Sequence, residues 1–241
     1  MTVLLYQTDS YLREFQANIL ADEPQNRGVT LDRTAFYPGG GGQPCDTGVL
    51  ISGDDTYKVE KVKKVGEEVV HILDREPPSP LRSATVRAAL DWTRRYQLMR
   101  THTALHILCG VVFRDYGAQV TGGDMDPLKG RMDFEFETMR GELVRAIESA
   151  VNLEVEKGRP IQVRILPREE AFQIPDLIRT KINLLPQGIQ QVRTVEIAGL
   201  DLQADGGTHV ANTSEVGRIR ISDYKSKGAI NKRIYIELES S

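Results

Sequence analysis

The chain has 241 residues, 40% hydrophobic and 27% charged, a composition that excludes collagen, coiled coils and wholesale disorder. The length suits one large domain or two ordinary ones. With 31 Lys and Arg against 34 Asp and Glu, the formal net charge is −3, so any nucleic-acid partner must be bound by a local cationic patch. Cys45 and Cys109 are too few for a disulfide framework, and no apolar run approaches the ~20 residues that span a bilayer. We therefore expect a soluble cytoplasmic protein without a membrane partner.

Up to about Leu90 the hydrophobic pattern predicts short β-strands. Apolar and polar residues alternate from Phe15 to Ala21, and further strand-like runs follow at 29–31, 47–51, 57–65, 69–73 and 84–90. Six or so short strands joined by polar turns are typical of a small barrel or sandwich. A proline-rich stretch at 77–80 predicts a connection near a domain edge.

From Asp91 the apolar spacing changes to three and four residues, which predicts a long helix with Asp91 as its N-cap. A strand at 132–136 and a second helix at 138–157 follow, and Gly158 and Pro160 end that helix. Further strands are predicted at 161–166 and 191–197. A hairpin is predicted to pair 218–223 with 232–238 across a turn at 226–228. The second part of the chain is therefore predicted to be α+β.

Two of the four histidines, His102 and His106, lie four residues apart within the predicted helix. Residues so spaced share one helix face, about 6 Å apart, where two imidazoles can chelate one metal ion. Thr103 stands where an HExxH zinc protease carries its glutamate base, which argues against a metalloprotease. An accidental pairing on a half-apolar helix is the alternative interpretation.

A second half-site could come from Asp205 and His209, which are also four residues apart. Gly206 and Gly207 between them favour a tight turn over a helix interior. Together with the helical pair, these residues would offer three histidines and one aspartate, all acceptable zinc ligands. A solvent-facing turn is the alternative.

The glycine run Gly39, Gly40, Gly41, Gly42 and the following Gln43 lack the Lys-Ser/Thr ending of a phosphate loop, and no helix follows them. Ordering four glycines costs backbone entropy. Either the loop is a flexible hairpin connection, or another group approaches its backbone closely.

Five segments, taken in order, resemble the free-standing alanyl-tRNA editing proteins of the AlaX family and the related editing domain of alanyl-tRNA synthetase. They are FYPGGGGQPCDTG at 36–48, DWTRRYQLMRTHTALHIL at 91–108, RMDFEF at 131–136, DLQADGGTHV at 201–210 and KGAINKRIYI at 227–236. The resemblance implies an α+β fold. Residues 1–90 would form a small β-barrel with the glycine-rich loop, and 91–241 an α+β editing domain of the threonyl/alanyl-tRNA synthetase type. The implied function is ATP-independent hydrolysis of seryl, and sometimes glycyl, esters of alanine tRNA.

By that resemblance, His102, His106, Asp205 and His209 are the metal ligands and catalytic residues, and the cofactor is Zn²⁺. The family has cysteine where this chain has Asp205. A carboxylate in place of a thiolate leaves a tetrahedral site feasible, raises the Lewis acidity of zinc and lowers its affinity. Two alternatives stay open: a three-histidine site with Asp205 as base or outer residue, and an inactive relative.

Substrate contacts are expected from the glycine loop with Gln43 and from Thr121, which resembles a position where the family places a polar side chain in its pocket. A loop threonine bonded to its own backbone is the alternative. The phosphates of the partner, mischarged alanine tRNA, call for cations. The candidates flank the histidine helix or lie on the terminal hairpin: Arg94, Arg95, Arg100, Arg218, Arg220, Lys225, Lys227, Lys232 and Arg233. A solvated face is the alternative for each.

Two rival functions belong to other classes. One is a non-catalytic tRNA-binding module with a structural metal, which would show closed four-ligand coordination and no ester hydrolysis. The other is a metallohydrolase acting on a small ester or amide, which would need no RNA.

Overall fold

The computed structural model describes residues 2–23, 27–76, 81, 83–179 and 188–240. The chain forms two compact units, Met1–Tyr96 and Gln97–Ser241. The predicted domain boundary after residue 90 stays a prediction. The predicted connection at 77–80 lies outside the described residues.

The first unit is built from short strands, as the alternating pattern predicts. They are β1 (Val3–Leu4), β2 (Glu14–Glu23), β3 (Gly28–Leu31), β4 (Arg33–Thr34), β5 (Gly48–Ser52), β6 (Asp55–Val65), β7 (Glu68–Leu73) and β8 (Thr85–Leu90). Six of them close into an antiparallel barrel in the order β2-β3-β7-β6-β5-β8, while β1 and β4 pair in parallel. The barrel implied by the family resemblance is confirmed.

The barrel interior follows from period-two alternation. In β2 the apolar Phe15, Ala17 and Ile19 are buried, while the polar residues between them are exposed. Closure of the sheet removes its edges and encloses one apolar core. His71 is fully buried in this unit, 2.8 Å from Thr34 Oγ1, and burial lowers its pKa to about 4. This histidine is therefore a neutral core residue.

The histidine-bearing helix, α1, spans Trp92–Tyr116. Asp91 is its N-cap, because its Oδ1 accepts a hydrogen bond from the Arg94 N–H at 3.1 Å. The predicted start of the helix is thus confirmed. Residues 98–112 of α1 are all buried, which is typical of a helix surrounded by other elements.

In its described residues, the second unit adds two antiparallel sheets, two further α-helices and a short 3-10 helix at Thr213–Val216. Its elements are β9 (Val120–Asp126), β10 (Lys129–Glu135), α2 (Gly141–Glu156), β11 (Ile161–Pro167), α3 (Arg168–Ala171), β12 (Gln191–Ile197), β13 (Asp201–Ala204), β14 (Ile219–Ser226) and β15 (Asn231–Leu238). One sheet has the order β14-β15-β10-β9 and the other β11-β12-β13. The mixed α+β class is confirmed.

Strand β9 was not predicted from the sequence. It pairs with β10 along most of its length. The predicted terminal hairpin is confirmed, but its strands extend further and the chain reverses over residues 227–230. No helix within the described residues is long and apolar enough to cross a bilayer.

Candidate metal centre

Four side chains converge inside the second unit: His102 and His106 from α1, and Asp205 and His209 from the segment after β13. Their candidate ligand atoms all lie within 4.8 Å of one another. Asp205 Oδ1 is 3.6 Å from His102 Nε2 and 4.0 Å from His106 Nε2, and Asp205 Oδ2 is 3.0 Å from His209 Nε2. The structure thus brings together the two half-sites that the sequence spacing suggested separately.

A close approach between α1 and the start of β13 positions the cluster. A Cβ at Gly110 would lie 2.9 Å from Leu200 Cγ and 3.0 Å from Asp201 Cβ, so only glycine fits there without displacement. The Asp205 N–H donates to the Arg193 carbonyl at 3.1 Å, which holds the end of β13 beside β12. Asp205 Oδ2 accepts from the Gly207 N–H at 2.8 Å, a bond across two residues that fixes the predicted turn.

The cluster is buried and electrostatically coupled. The three histidines are between 3% and 6% exposed. Burial lowers the pKa of His209 to about 4 and that of His102 well below its usual range, against the attraction of Asp205. Burial also lowers the pKa of His106, but hydrogen bonding to Asp201 and the charge on Asp205 outweigh it and raise the pKa. Burial alone would raise the pKa of Asp205, whereas the neighbouring histidines lower it well below the usual range.

Two further residues hold the histidine rings, and the sequence analysis assigned neither of them this role. The buried carboxylate of Asp201 accepts a hydrogen bond from His106 Nδ1 at 3.2 Å. Thr103 Oγ1 is 3.1 Å from His209 Nδ1. Asp201 opens the quoted segment 201–210, and Thr103 was read only as an absent glutamate. Their spacing alone carries no signal for these contacts.

The donor set fits a divalent metal ion. Tetrahedral coordination with bonds of 2.0–2.2 Å places ligand atoms roughly 3.4 Å apart. From Asp205 Oδ1, His102 Nε2 lies at 3.6 Å and His106 Nε2 at 4.0 Å, and His209 Nε2 lies 3.0 Å from the other carboxylate oxygen, Oδ2. These distances are close to that value. Three imidazole nitrogens and one carboxylate oxygen, all at one buried point, form a candidate metal site.

The two oxygens of Asp205 have different surroundings. Oδ2 accepts from the Gly207 N–H and lies 3.7 Å from Arg193 Nη1, while Oδ1 faces His102 and His106. Arg193 also donates to the Asp205 carbonyl at 2.9 Å. Oδ1 therefore points toward His102 and His106, while Oδ2 is the oxygen that lies 3.0 Å from His209 Nε2.

The glycine loop, in the first unit, is a tight hairpin turn. The Gly40 N–H donates to the Gln43 carbonyl at 3.0 Å, and the Gln43 N–H donates back at 2.9 Å. Gly41 and Gly42, the two turn residues, have φ of +58° and +88°, a backbone region that favours glycine. Tyr37 Oη donates to the Gly40 carbonyl at 3.0 Å. Gly40 and Gly41 are exposed and Gln43 is buried.

Thr121 lies in β9 and not in a loop, so the alternative interpretation of a loop threonine is wrong. Its exposed hydroxyl donates to Asn231 Oδ1 on β15 at 2.9 Å, which also differs from a bond to its own backbone. Its place in the substrate pocket stays a prediction.

Three of the cations predicted to contact tRNA are buried and bound by groups of the protein. Arg95 is fully buried, donates from Nε to Asp46 Oδ1 at 2.9 Å and donates to the Ser10 and Ala35 carbonyls. Buried Arg100 donates to the Val216 and Glu239 carbonyls. Buried Lys232 donates to the Gly228 and Ala229 carbonyls. These contacts give the three side chains a structural role, and their assignment to phosphate contacts stays a prediction without support from their surroundings.

The other predicted cations reach solvent to different extents. Arg233 is bound through both carboxylate oxygens of Asp133 at 2.7 and 2.8 Å. Arg94 is half-buried and donates to the Cys45 carbonyl. Arg218, Lys225 and Lys227 are exposed; Lys225 lies 2.9 Å from Asp223, and the exposed Arg220 pairs with Glu237. The terminal hairpin is therefore a mixed-charge surface.

Comparison with known proteins gives a consistent result. The family model of class II (A) tRNA synthetases matches residues 8–94, and that of the threonyl and alanyl tRNA synthetase second additional domain matches residues 192–235. The alanyl-tRNA editing protein AlaX-M of Saccharolobus solfataricus is 40% identical over 238 residues, 98% of each chain. AlaX-M of Methanosarcina acetivorans is 37% identical over 244 residues, 99% of each chain. The alanine–tRNA ligase of Ignicoccus hospitalis is 41% identical over 224 residues, which cover 90% of this chain and 24% of the ligase.

Proposed function

We propose a function from one premise: this chain belongs to the alanyl-tRNA editing proteins of the AlaX family. Members of this family act in trans, and this chain is accordingly an editing deacylase of mischarged tRNA(Ala). We propose further that it hydrolyses the seryl ester, and also the glycyl ester, and that the metal is zinc. The observation that carries this proposal is the buried cluster of His102, His106, Asp205 and His209.

Zinc suits the donor set because imidazole nitrogen and a single carboxylate oxygen are among its preferred ligands. His102, His106 and His209 would hold it through nitrogen and Asp205 through Oδ1. When bound, zinc would polarise the ester carbonyl or lower the pKa of a water molecule. Low pKa values keep His102 and His209 neutral near pH 7, so their lone pairs are available.

The chain's own side chains favour water as the nucleophile. Cys109, one turn after His106, is buried, and burial raises its thiol pKa, so it stays protonated at neutral pH. Gln203 Nε2 lies 3.3 Å from its sulfur, which fixes the thiol further. A buried, protonated thiol is a poor nucleophile, and the ester is already activated enough for attack by water.

Selection of the seryl ester requires recognition of a hydroxyl, because the correct alanyl product is smaller than the error and size cannot exclude it. A site that hydrogen-bonds the serine hydroxyl can discriminate by up to roughly 10⁴ to 10⁵, since alanine leaves the buried partner unpaired. We assign this role to Thr121 on the family resemblance alone. Its exposed hydroxyl donates to Asn231 Oδ1, so its oxygen could still accept a hydrogen bond from the serine hydroxyl, and the bound substrate would have to bury the pair. The turn at Gly39–Gly42, with Gln43, would present backbone groups to the substrate or the tRNA end.

The mischarged tRNA(Ala) would be bound largely through its phosphates. The predicted cations that reach solvent are assigned this role together with Arg233: Arg94, Arg218, Arg220, Lys225 and Lys227. Most of these side chains already contact an acceptor of the protein: Arg94 donates to the Cys45 carbonyl, Arg220 pairs with Glu237, Lys225 pairs with Asp223, and Arg233 pairs with Asp133. Binding of tRNA is therefore expected to be moderate and strongly salt-dependent.

A non-catalytic tRNA-binding module with a structural metal is the second candidate. The presence of four donors favours it, because structural zinc sites are closed by four protein ligands, whereas catalytic sites keep one position for water or substrate. If Asp205 remains bound throughout, this alternative predicts tight zinc without hydrolysis.

One assay separates the candidates. Ser-tRNA(Ala), Gly-tRNA(Ala) and Ala-tRNA(Ala) are incubated with the full chain, with and without a chelator, and the remaining ester is measured. Release of serine and glycine that stops with the chelator and returns with Zn²⁺ supports the proposal. Zinc-loaded protein that binds tRNA and leaves all three esters intact supports the structural-metal module.

A further inference from the structure

The histidines of the metal centre differ in what their second ring nitrogen contacts. His106 Nδ1 faces Asp201, whose ionised carboxylate can only accept a hydrogen bond. His209 Nδ1 faces Thr103, whose hydroxyl can both donate and accept. The tautomer of His106 is therefore fixed by its partner, while that of His209 is not.

When no metal ion is bound, a neutral His209 in this geometry would carry its proton on Nε2. Nε2 lies 3.0 Å from Asp205 Oδ2, and a carboxylate cannot donate. A neutral imidazole has one N–H, so Nδ1 is a bare acceptor and the Thr103 hydroxyl donates to it. The same hydroxyl oxygen accepts from the Val210 N–H at 3.3 Å.

Metal binding requires the opposite tautomer. His209 Nε2 must then offer its lone pair to the metal, so the proton moves, by exchange with solvent, to Nδ1 and the ring stays neutral. Nδ1–H donates to Thr103 Oγ1, whose two lone pairs accept both this bond and that of Val210. The His209 ring and Thr103 Oγ1 therefore stay hydrogen-bonded in both states without any heavy atom changing place, although the Thr103 hydroxyl proton gives up its acceptor when the metal binds.

We propose that Thr103 is the positioning residue that lets His209 exchange between two tautomers, so that the centre is satisfied both metal-free and metal-loaded. The inference rests on the proposed function only in requiring that the four-residue cluster binds metal. It also explains why the HxxxH segment carries threonine where a zinc protease has glutamate. A carboxylate at 103 would fix Nδ1–H permanently, and an apolar residue would leave Nδ1 and the Val210 N–H without their shared partner.

The test compares Thr103→Val, which keeps the shape of the side chain, with Thr103→Ser, which keeps the hydroxyl. Thr101→Val is the matched control. Thr101 is equally buried on the same helix, and its hydroxyl donates to the Gln97 carbonyl and accepts from the Leu128 N–H, both at 2.8 Å. The Thr101→Val variant therefore loses a comparable pair of hydrogen bonds, neither of which involves a histidine.

Zinc affinity is measured by competition with a chelator, and tautomers by ¹⁵N NMR, which is tractable with four histidines. We expect Thr103→Val to bind Zn²⁺ roughly 10 to 100 times more weakly than wild type, and Thr103→Ser and Thr101→Val to differ from wild type only a few-fold. In wild-type protein, the His209 proton should move from Nε2 to Nδ1 when zinc is added.

Equal zinc affinities of Thr103→Val and Thr101→Val would overturn the inference, and so would a His209 proton on Nδ1 before zinc is added. Failure of the wild-type protein to bind zinc would instead overturn the proposed metal and this inference with it. The two failures are thus distinguishable.

Discussion

Replacement of Asp201 by asparagine tests how the outer residues of the metal centre contribute to it. The buried carboxylate of Asp201 accepts from His106 Nδ1 at 3.2 Å and from Gln203 Nε2 at 2.6 Å, and its other oxygen lies 3.4 Å from Arg179 Nε. Because it only accepts, it fixes the His106 proton on Nδ1 and leaves Nε2 free for a metal. Asparagine has nearly the same shape but lacks the charge, and its NH₂ group can donate to Nδ1 and favour the wrong tautomer.

The magnitude follows from the bonds that are lost. A hydrogen bond to a charged group contributes about 1.5–3 kcal/mol. Since ~1.4 kcal/mol corresponds to a tenfold change in an equilibrium constant, loss of the one to His106 should weaken zinc binding roughly 10- to 150-fold. This agrees with the 10–100-fold typically found when outer partners of a ligand are removed.

The assay is chelator competition for Zn²⁺, followed by deacylation of Ser-tRNA(Ala) at saturating zinc. The control is Asp133→Asn, which removes another buried carboxylate of the same unit, paired with Arg233 at 2.7 Å and remote in sequence from the four ligands. Asp133→Asn should bind zinc like wild type. A zinc affinity of Asp201→Asn within twofold of wild type would refute the reasoning.

Three further predictions concern the ligand set, substrate choice and stability. Asp205→Ala should lose zinc and deacylation together, whereas Asp205→Cys should bind zinc at least as tightly; metal analysis and the deacylation assay decide, and an unchanged alanine variant would place Asp205 outside the site. Thr121→Val should lower the rate on Ser-tRNA(Ala) without changing zinc content or the residual rate on Ala-tRNA(Ala), and an unchanged seryl rate would assign discrimination elsewhere. Burial alone would raise the pKa of Glu154, but hydrogen bonds from Lys157, Arg114 and Arg159 lower it from 4.5 to about 2. This lowering of the Glu154 pKa corresponds to about 3 kcal/mol of unfolding free energy. We reduce the figure to about 2 kcal/mol because Arg114 and Lys157 are partly exposed and solvent screens their charges. Because the folded pKa is depressed, this stability is present above pH 4.5 and lost as pH falls toward 2. Urea unfolding of wild type and Glu154→Gln should therefore differ by about 2 kcal/mol at pH 7 and converge at low pH, and a constant difference would contradict this assignment.

Much of the fold was predictable where periodicity is strong. The alternation of β2 produces one buried face, and the apolar residues spaced by three and four in α1 are buried as well, although residues 98–112 of this helix are buried on every side. β9 was missed because Gly122, Gly123 and the aspartates around them have low β propensity. Its conformation is imposed by pairing with β10, a contact that local sequence does not encode.

Local sequence predicts the metal ligands but not the residues around them, whose partners are distant in the chain. His102 and His106 were found because their spacing of four on a helix already implies a shared face. The burial of Arg95 and Arg100 was not predicted, because a sequence shows charges without their partners. Those partners lie 49 residues away at Asp46 and 116 residues away at the Val216 carbonyl. A buried arginine satisfied by distant acceptors therefore looks like a surface arginine in the sequence.

Position 205 shows how the fold can accommodate a carboxylate where the family resemblance implies a thiolate. A thiolate offers one donor atom, whereas Asp205 has two, and the second needs a partner in a buried site. The Gly207 N–H, the nearby Arg193 and His209 Nε2 all lie at Oδ2, while Oδ1 is directed at His102 and His106. In Asp205→Cys the Gly207 N–H and Arg193 would lose this oxygen, although Arg193 keeps its bond to the carbonyl of residue 205. Tighter zinc binding by that variant, accompanied by lower resistance to unfolding, is therefore the combination that this geometry favours.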